Sequence, residues 1–159
     1  MGERLRVSGI IEKMDELDKK ILRLLQLDSR NSFTKIAHEI GVSTATVSER
    51  VKRLTEKGFI RGYTTILNTS ELGLVTLITK IKTRPGIRIE DVGKGIAEME
   101  ESCCIHHITG NFDLLVISKC IGYENCRIVI EKIKDIEGVD SVDAELVLKT
   151  LKEELKVEL

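Results

Sequence analysis

SFTKIAHEIGVSTATVSERVKRLTEKG, residues 32–58, is the stretch on which the reading of this chain turns. Ser32 is a good N-cap, and Phe33, Ile36, Ala37 and Ile40 follow it at helical spacing. Gly41 ends that helix, because glycine alone enters the left-handed conformation without steric cost. Val42 comes next, and Ser43 caps a second helix on which Val47, Val51 and Leu54 make one apolar stripe. Gly58 stops it. A turn of about three residues sets two helices at a steep angle, which is the geometry of a helix-turn-helix.

At ~100° per residue, the side opposite that stripe carries Ala45, Thr46, Ser48, Glu49, Lys52, Arg53 and Glu56. Small polar groups in the first turns, followed by cations, suit a helix that reads base edges in double-stranded DNA and then meets phosphate. The expected DNA-binding set is Ser43, Thr44, Ala45, Thr46, Ser48, Glu49, Lys52 and Arg53. Arg50, at the flank of the stripe, is expected to pair with an acid of the preceding helices. The competing reading is an ordinary helical hairpin with a solvated charged face.

The rest of the 159 residues sorts around this motif. Net charge is −1, but residues 1–67 hold 13 Lys and Arg against 9 Asp and Glu, while residues 68–159 hold 12 against 17. A basic half for a polyanion and an acidic half with another task follow from that split. Aromatics are 3% and Trp is absent, so any core is built from Ile, Leu and Val. A single proline argues against a disordered chain. No run of about 20 apolar residues is present and the start has no secretory pattern, so the expected place is the cytoplasm, with no membrane partner.

Asp15 is expected to cap a first helix with Leu17, Ile21, Leu24 and Leu25 on its apolar face, giving three helices in the N-terminal domain. Residues 1–13 read as a short extension or partial helix. After Gly58, FIRGYTTIL favours a strand, the wing or linker of a winged helix-turn-helix. From Leu74 onward the pattern becomes strand–helix–strand–strand–helix–strand, the order of a ferredoxin-like βαββαβ sandwich. The predicted class is therefore α+β, with a DNA-binding domain at 1–67 and a sandwich at 68–159. Leu114, Val116 and Cys120 alternate with Leu115, Ile117 and Ile121, so the third strand of the sandwich is apolar on both faces. Two helices cover one face of such a sheet; the other is expected to pack on a second copy in a two-fold homodimer.

Cys103, Cys104, His106 and His107 could suggest a metal or a cysteine enzyme. On a regular strand, however, Cys104 and His106 share one face, and Cys103 and His107 lie ~13 Å apart on the other. Two ligands fall short of a zinc site, so these residues, like Cys120 and Cys126, are expected to serve as packing groups. No phosphate-binding glycine loop, nucleophile elbow or His-Glu-x-x-His is present, so neither catalytic residues, nor a metal, nor a cofactor is expected.

Three runs carry a resemblance: DELDKKILRLLQLDSRNSFTKIA from Asp15, GVSTATVSERVKRLTEKGFIRGY from Gly41, and TGNFDLL from Thr109. Together they resemble the leucine-responsive regulatory protein/AsnC family, the feast/famine regulators, over residues 14–151. The resemblance implies a sequence-specific transcriptional regulator that is a homodimer or octamer, tuned by an amino acid or related metabolite. It places that effector at the loop Thr109, Gly110, Asn111, Phe112 and Asp113. It also brings a departure: where amino-acid-binding members commonly have Thr-x-Thr on the last strand, this chain has Val142 and Ala144, which cannot hydrogen-bond a polar ligand. A metabolite-binding or metal-dependent enzyme, and a nucleoid-type architectural protein, are the alternatives.

Overall fold

The computed structural model describes residues 14–159, so the reading of residues 1–13 lies outside it. Residues up to Thr65 together with Glu153–Leu159 form one compact unit, and Ile66–Lys152 form the other. The sequence division at residue 67 had assigned the last seven residues to the sandwich.

The first unit holds α1 (Glu16–Leu27), α2 (Phe33–Ile40) and α3 (Thr44–Glu56). Each has the expected cap. The Asp15 side chain accepts from the Asp18 amide at 2.8 Å, Ser32 from Lys35 at 3.2 Å and Ser43 from Thr46 at 3.0 Å. Gly41 adopts φ 74°, so the chain leaves α2 in the left-handed region and is free to turn directly into α3. Ile21, Leu25, Ile36, Val47, Val51 and Leu54 close the core between the three helices. Burying each such side chain is worth about 1.5–3 kcal/mol.

Residues 59–67, expected as a strand, make no sheet pairing, and 61–67 are exposed. Their β-branched composition favours extension, but an extended segment becomes a strand only when a neighbour accepts its ladder bonds. The returning segment Glu153–Leu159 instead docks on α1. The Val157 amide donates to Gln26 Oε1 at 2.8 Å and Gln26 Nε2 donates to the Val157 carbonyl at 3.2 Å. Arg23 donates to the Leu159 carbonyl, and Leu159 packs against the helical core.

The second unit contains β1 (Leu74–Thr83), α4 (Ile89–Ala97), β2 (Ser102–His107), β3 (Leu114–Ile121), α5 (Gly122–Lys134) and β4 (Val139–Leu146). The sheet order is β2-β3-β1-β4 with every pairing antiparallel, the expected sandwich topology. Leu77, Ile81, Leu114, Val116 and Cys120 face Val92, Ile96, Val129 and Ile133 of the two helices. The opposite face carries Ile78 directly across from Ile117, with Leu115 beside them, all half-buried, and Ile121 at 78% exposure.

The packing expectation holds for Cys120 and Cys126, which are buried, and fails for Cys103 and Cys104, which are exposed. Burial pushes the Cys120 thiol up to about 12, so it packs as a neutral group. On β2, Ser102 pairs with Ser118 while Cys104 pairs with Ile117, leaving Cys103 as an extra residue in a bulge. A bulge breaks the strict alternation on which the two-face assignment of these residues rested. Among the described residues, no helix is long and apolar enough to cross a membrane.

Gly138 joins α5 to β4 at φ 93°, and a Cβ there would lie 2.6 Å from Ile87 Cγ2 and 3.0 Å from Val92 Cγ2. Gly138→Ala therefore combines backbone strain with overpacking and is expected to cost about 2–4 kcal/mol. Calorimetry should show the sandwich transition falling by about 10 °C or more; an unchanged transition would contradict this packing.

Candidate nucleic-acid interface

The apolar seam Val47–Val51–Leu54 is buried, which fixes the face that α3 turns outward. Ala45, Ser48, Glu49 and Lys52 stand exposed on that face, and Thr44 is exposed at the helix start. Ser43 and Thr46 are tied to each other: their hydroxyls lie 2.8 Å apart, and Ser43 Oγ also caps the helix. The first turn of α3 is thus held by its own side chains, while Ser48, Glu49 and Lys52 project without any comparable constraint. The Lys52 side chain is 77% exposed, with only a loose Glu56 partner at 3.9 Å.

Arg53 departs from expectation. Its Nη2 sits 2.7 and 2.9 Å from the two carboxylate oxygens of Asp18, so it does not project freely toward phosphate. Arg50 behaves as expected, pairing with Asp15 and, at 3.2 Å, with Asp18. Asp18 is 3% exposed. The spacing of Asp15 and Asp18 in the sequence does not reveal which helix they face, so this role of Asp18 was missed. The usable signal was the Arg50/Arg53 pair: two arginines one turn apart beside an apolar stripe imply a buried acid nearby.

In the sandwich, the loop between β2 and β3 leaves Thr109, Gly110 and Asn111 exposed. Phe112 lies under the Lys80 ammonium, 5.7 Å from ring centre to nitrogen, and Lys80 also bridges to Asp143 and Glu145 on β4. Val142 and Ala144 pair with Ile81 and Thr79 of β1. They stand on β4, whereas the Asp113 loop precedes β3, and β1 runs between those two strands. Within one chain β1 therefore separates the two halves of the expected effector site, and its Lys80 reaches both Phe112 and the acids of β4. Among the described residues, no group of three or more His, Cys, Asp or Glu could hold a metal ion.

Comparison with known proteins finds two family domains in this chain. The AsnC-type helix-turn-helix domain matches residues 14–55 and the Lrp/AsnC ligand binding domain matches residues 76–157. The chain is 39% identical to the HTH-type transcriptional regulator LrpA of Pyrococcus horikoshii over 142 residues, covering 87% of this chain and 99% of that protein. It is 36% identical to an uncharacterized HTH-type transcriptional regulator of Pyrococcus abyssi over 146 residues, covering 91% and 99%. Among solved structures, a transcriptional regulator from Neisseria meningitidis in complex with L-Met superposes with a TM-score of 0.82 at 22% identity, covering 91% and 96%.

Asp113 occupies a position apart from the rest of its loop. Its carboxylate accepts from the Thr83 amide at 2.8 Å, the Thr83 hydroxyl at 2.9 Å and Lys82 Nζ at 3.0 Å. The Thr83 amide, then Lys82, hold this carboxyl down to about 2, below its usual 3.8. A lowered folded value means that folding favours the ionised form. The stabilisation, about 2 kcal/mol, is complete above the unfolded value near pH 4 and disappears as pH falls toward 2. Asp113→Asn should lower stability at pH 7 and remove much of the loss between pH 4 and 2, measured by denaturant titration; a variant with the wild-type pH profile would disprove the assignment.

Proposed function

Because the chain belongs to the Lrp/AsnC family of helix-turn-helix transcriptional regulators, we propose that α3 enters the major groove of double-stranded DNA, with Thr44, Ala45, Ser48 and Glu49 toward base edges and Lys52 toward phosphate. The buried seam of α3, which leaves this row outward, is the observation that carries the reading. Ser43 and Thr46 shape the helix start, where main-chain amides approach the backbone. The site of action is the cytoplasm. In vitro selection of bound duplexes tests the proposal, followed by salt titration of wild type and Lys52→Ala. The variant should flatten the plot of log affinity against log salt by about 0.9, the slope carried by one phosphate contact. Selection that enriches no sequence, or a slope unmoved by the substitution, would refute it.

The protein acts as a homodimer through the open face of its sheet. Ile78, Leu115 and Ile117, with the exposed Ile121, form an apolar band that one layer of helices leaves uncovered. Sedimentation of the full chain at micromolar concentration should give a dimer, and Ile117→Lys should shift it toward monomer. A monomeric wild type would overturn this part.

An amino-acid-like effector modulates binding through the sandwich, a reading supported by the ligand-binding-domain match and by the Neisseria meningitidis complex with L-Met. Asp113 is already held by Thr83 and Lys82, and Val142 and Ala144 offer no hydroxyl. The loop groups Thr109, Gly110, Asn111 and Phe112 are left to contact the ligand, which is then less polar than one held by a Thr-x-Thr pair. Repeating the DNA selection with a mixed amino-acid pool distinguishes a tuned regulator from an untuned one.

A further inference from the structure

We propose that Asp18 is a positioning residue that determines how selectively this protein reads DNA, by holding Arg50 and Arg53 away from phosphate and fixing the roll of α3. The inference rests on the DNA reading of α3 given above. Asp18 lies on α1, 3% exposed, with Arg53 Nη2 at 2.7 Å and Arg50 Nη1 at 3.2 Å. Asp15 takes the other share of Arg50. The cluster of two acids and two arginines is therefore neutral as a whole.

The apolar seam does not fix the roll by itself. Val47, Val51 and Leu54 fix which side of α3 is inward, but apolar contacts are less directional than charged hydrogen bonds. Charged hydrogen bonds are directional, and two of them one helical turn apart resist rotation. A roll of about 20° moves a side-chain tip at about 5–6 Å radius by about 2 Å. Hydrogen-bond distances span only about half an ångström, so such a roll breaks a base contact made by Ser48 or Glu49.

The same carboxylate governs affinity for any duplex. Guanidinium binds phosphate well, and Arg53 retains 41% side-chain exposure on the helix nearest the proposed DNA. Paired with Asp18, it adds no net charge to sequence-independent binding. Unpaired, it would bind any backbone with equal strength. Asp18 thus both aligns the reading face and suppresses the non-selective background.

A four-protein cycle tests this: wild type, Asp18→Asn, Arg53→Gln and the double variant. Each is titrated by fluorescence anisotropy against the selected duplex and a scrambled one at several salt concentrations. Asp18→Asn should bind the scrambled duplex more tightly and steepen its salt slope by about 0.9, as one phosphate contact is gained. Its ratio of selected to scrambled affinity should fall tenfold or more. Arg53→Gln should reduce that ratio without changing the slope, and the double variant should return the slope to wild type. Wild-type ratio and slope in Asp18→Asn would overturn the proposal, as would a shallower slope in Arg53→Gln alone. If circular dichroism shows Asp18→Asn unfolded, the slope of Arg53→Gln decides by itself. Failure of the wild-type arm to bind any duplex would overturn the DNA reading beneath it, an outcome visible before any variant is compared.

Discussion

A carboxylate buried between two helices is costly unless cations meet it, and the Asp18 carboxylate is met by Arg50 and Arg53 of one neighbouring helix. The exposed face of α3 depends on that arrangement. The caps determine where each helix begins, and the apolar seam determines which side is inward. Neither determines the last few degrees of orientation. Replacing the cluster with apolar groups of the same volume could leave the unit as stable, since buried ion pairs often contribute little net stability. Its contribution is geometric.

The sandwich uses a second carboxylate in a related way. Asp113 at the head of β3 accepts from the Thr83 amide and hydroxyl at the end of β1, and its own amide donates to the Ile81 carbonyl at 2.9 Å. Its carbonyl accepts from Ile108 at 2.9 Å, which extends the junction to the segment after β2. One residue therefore joins the loop end to the central strand. The difference from Asp18 lies in the partners. The Thr83 amide holds Asp113 whatever the neighbouring side chains do, whereas Asp18 depends on two long side chains that phosphate could also engage.

Most of this fold was legible in the sequence because its signals are local. Asp15, Ser32, Ser43 and Gly41 act within one turn of their own position, and alternation along β1 and β3 reports burial directly. The misreadings all depend on distant partners. Arg53 projects away from the seam by helical arithmetic, yet its guanidinium reaches an acid 35 residues earlier. Residues 59–67 have strand composition but no strand to pair with. Cys103 and Cys104 were assigned faces by a period of two that a bulge interrupts. The docking of Val157 on Gln26 joins residues 131 apart, and no periodicity announces it. At the candidate sites, residue type and approximate face were readable, whereas the engagement of Arg53 and Asp113 was not.

The electrostatic division of the chain takes a different meaning from these contacts. Residues 1–67 carry 13 Lys and Arg against 9 Asp and Glu, and Arg50 and Arg53 are matched by Asp15 and Asp18 of that same count, so the net excess is carried by other residues. Lys80 and Lys82 are likewise balanced, by Asp143, Glu145 and Asp113. The number of cations available to meet a duplex is therefore smaller than the number of basic residues, although the net charge is unchanged. Lys52, Lys57 and Arg61 stand exposed outside these clusters and, on the proposed reading, bear more directly on DNA. Phosphate contacts carry no sequence information, so in the proposed complex discrimination comes from the fit of α3 to base edges. On the proposal made above, that fit depends on the roll of the helix, and a buried acid remote from the reading face then takes part in recognition.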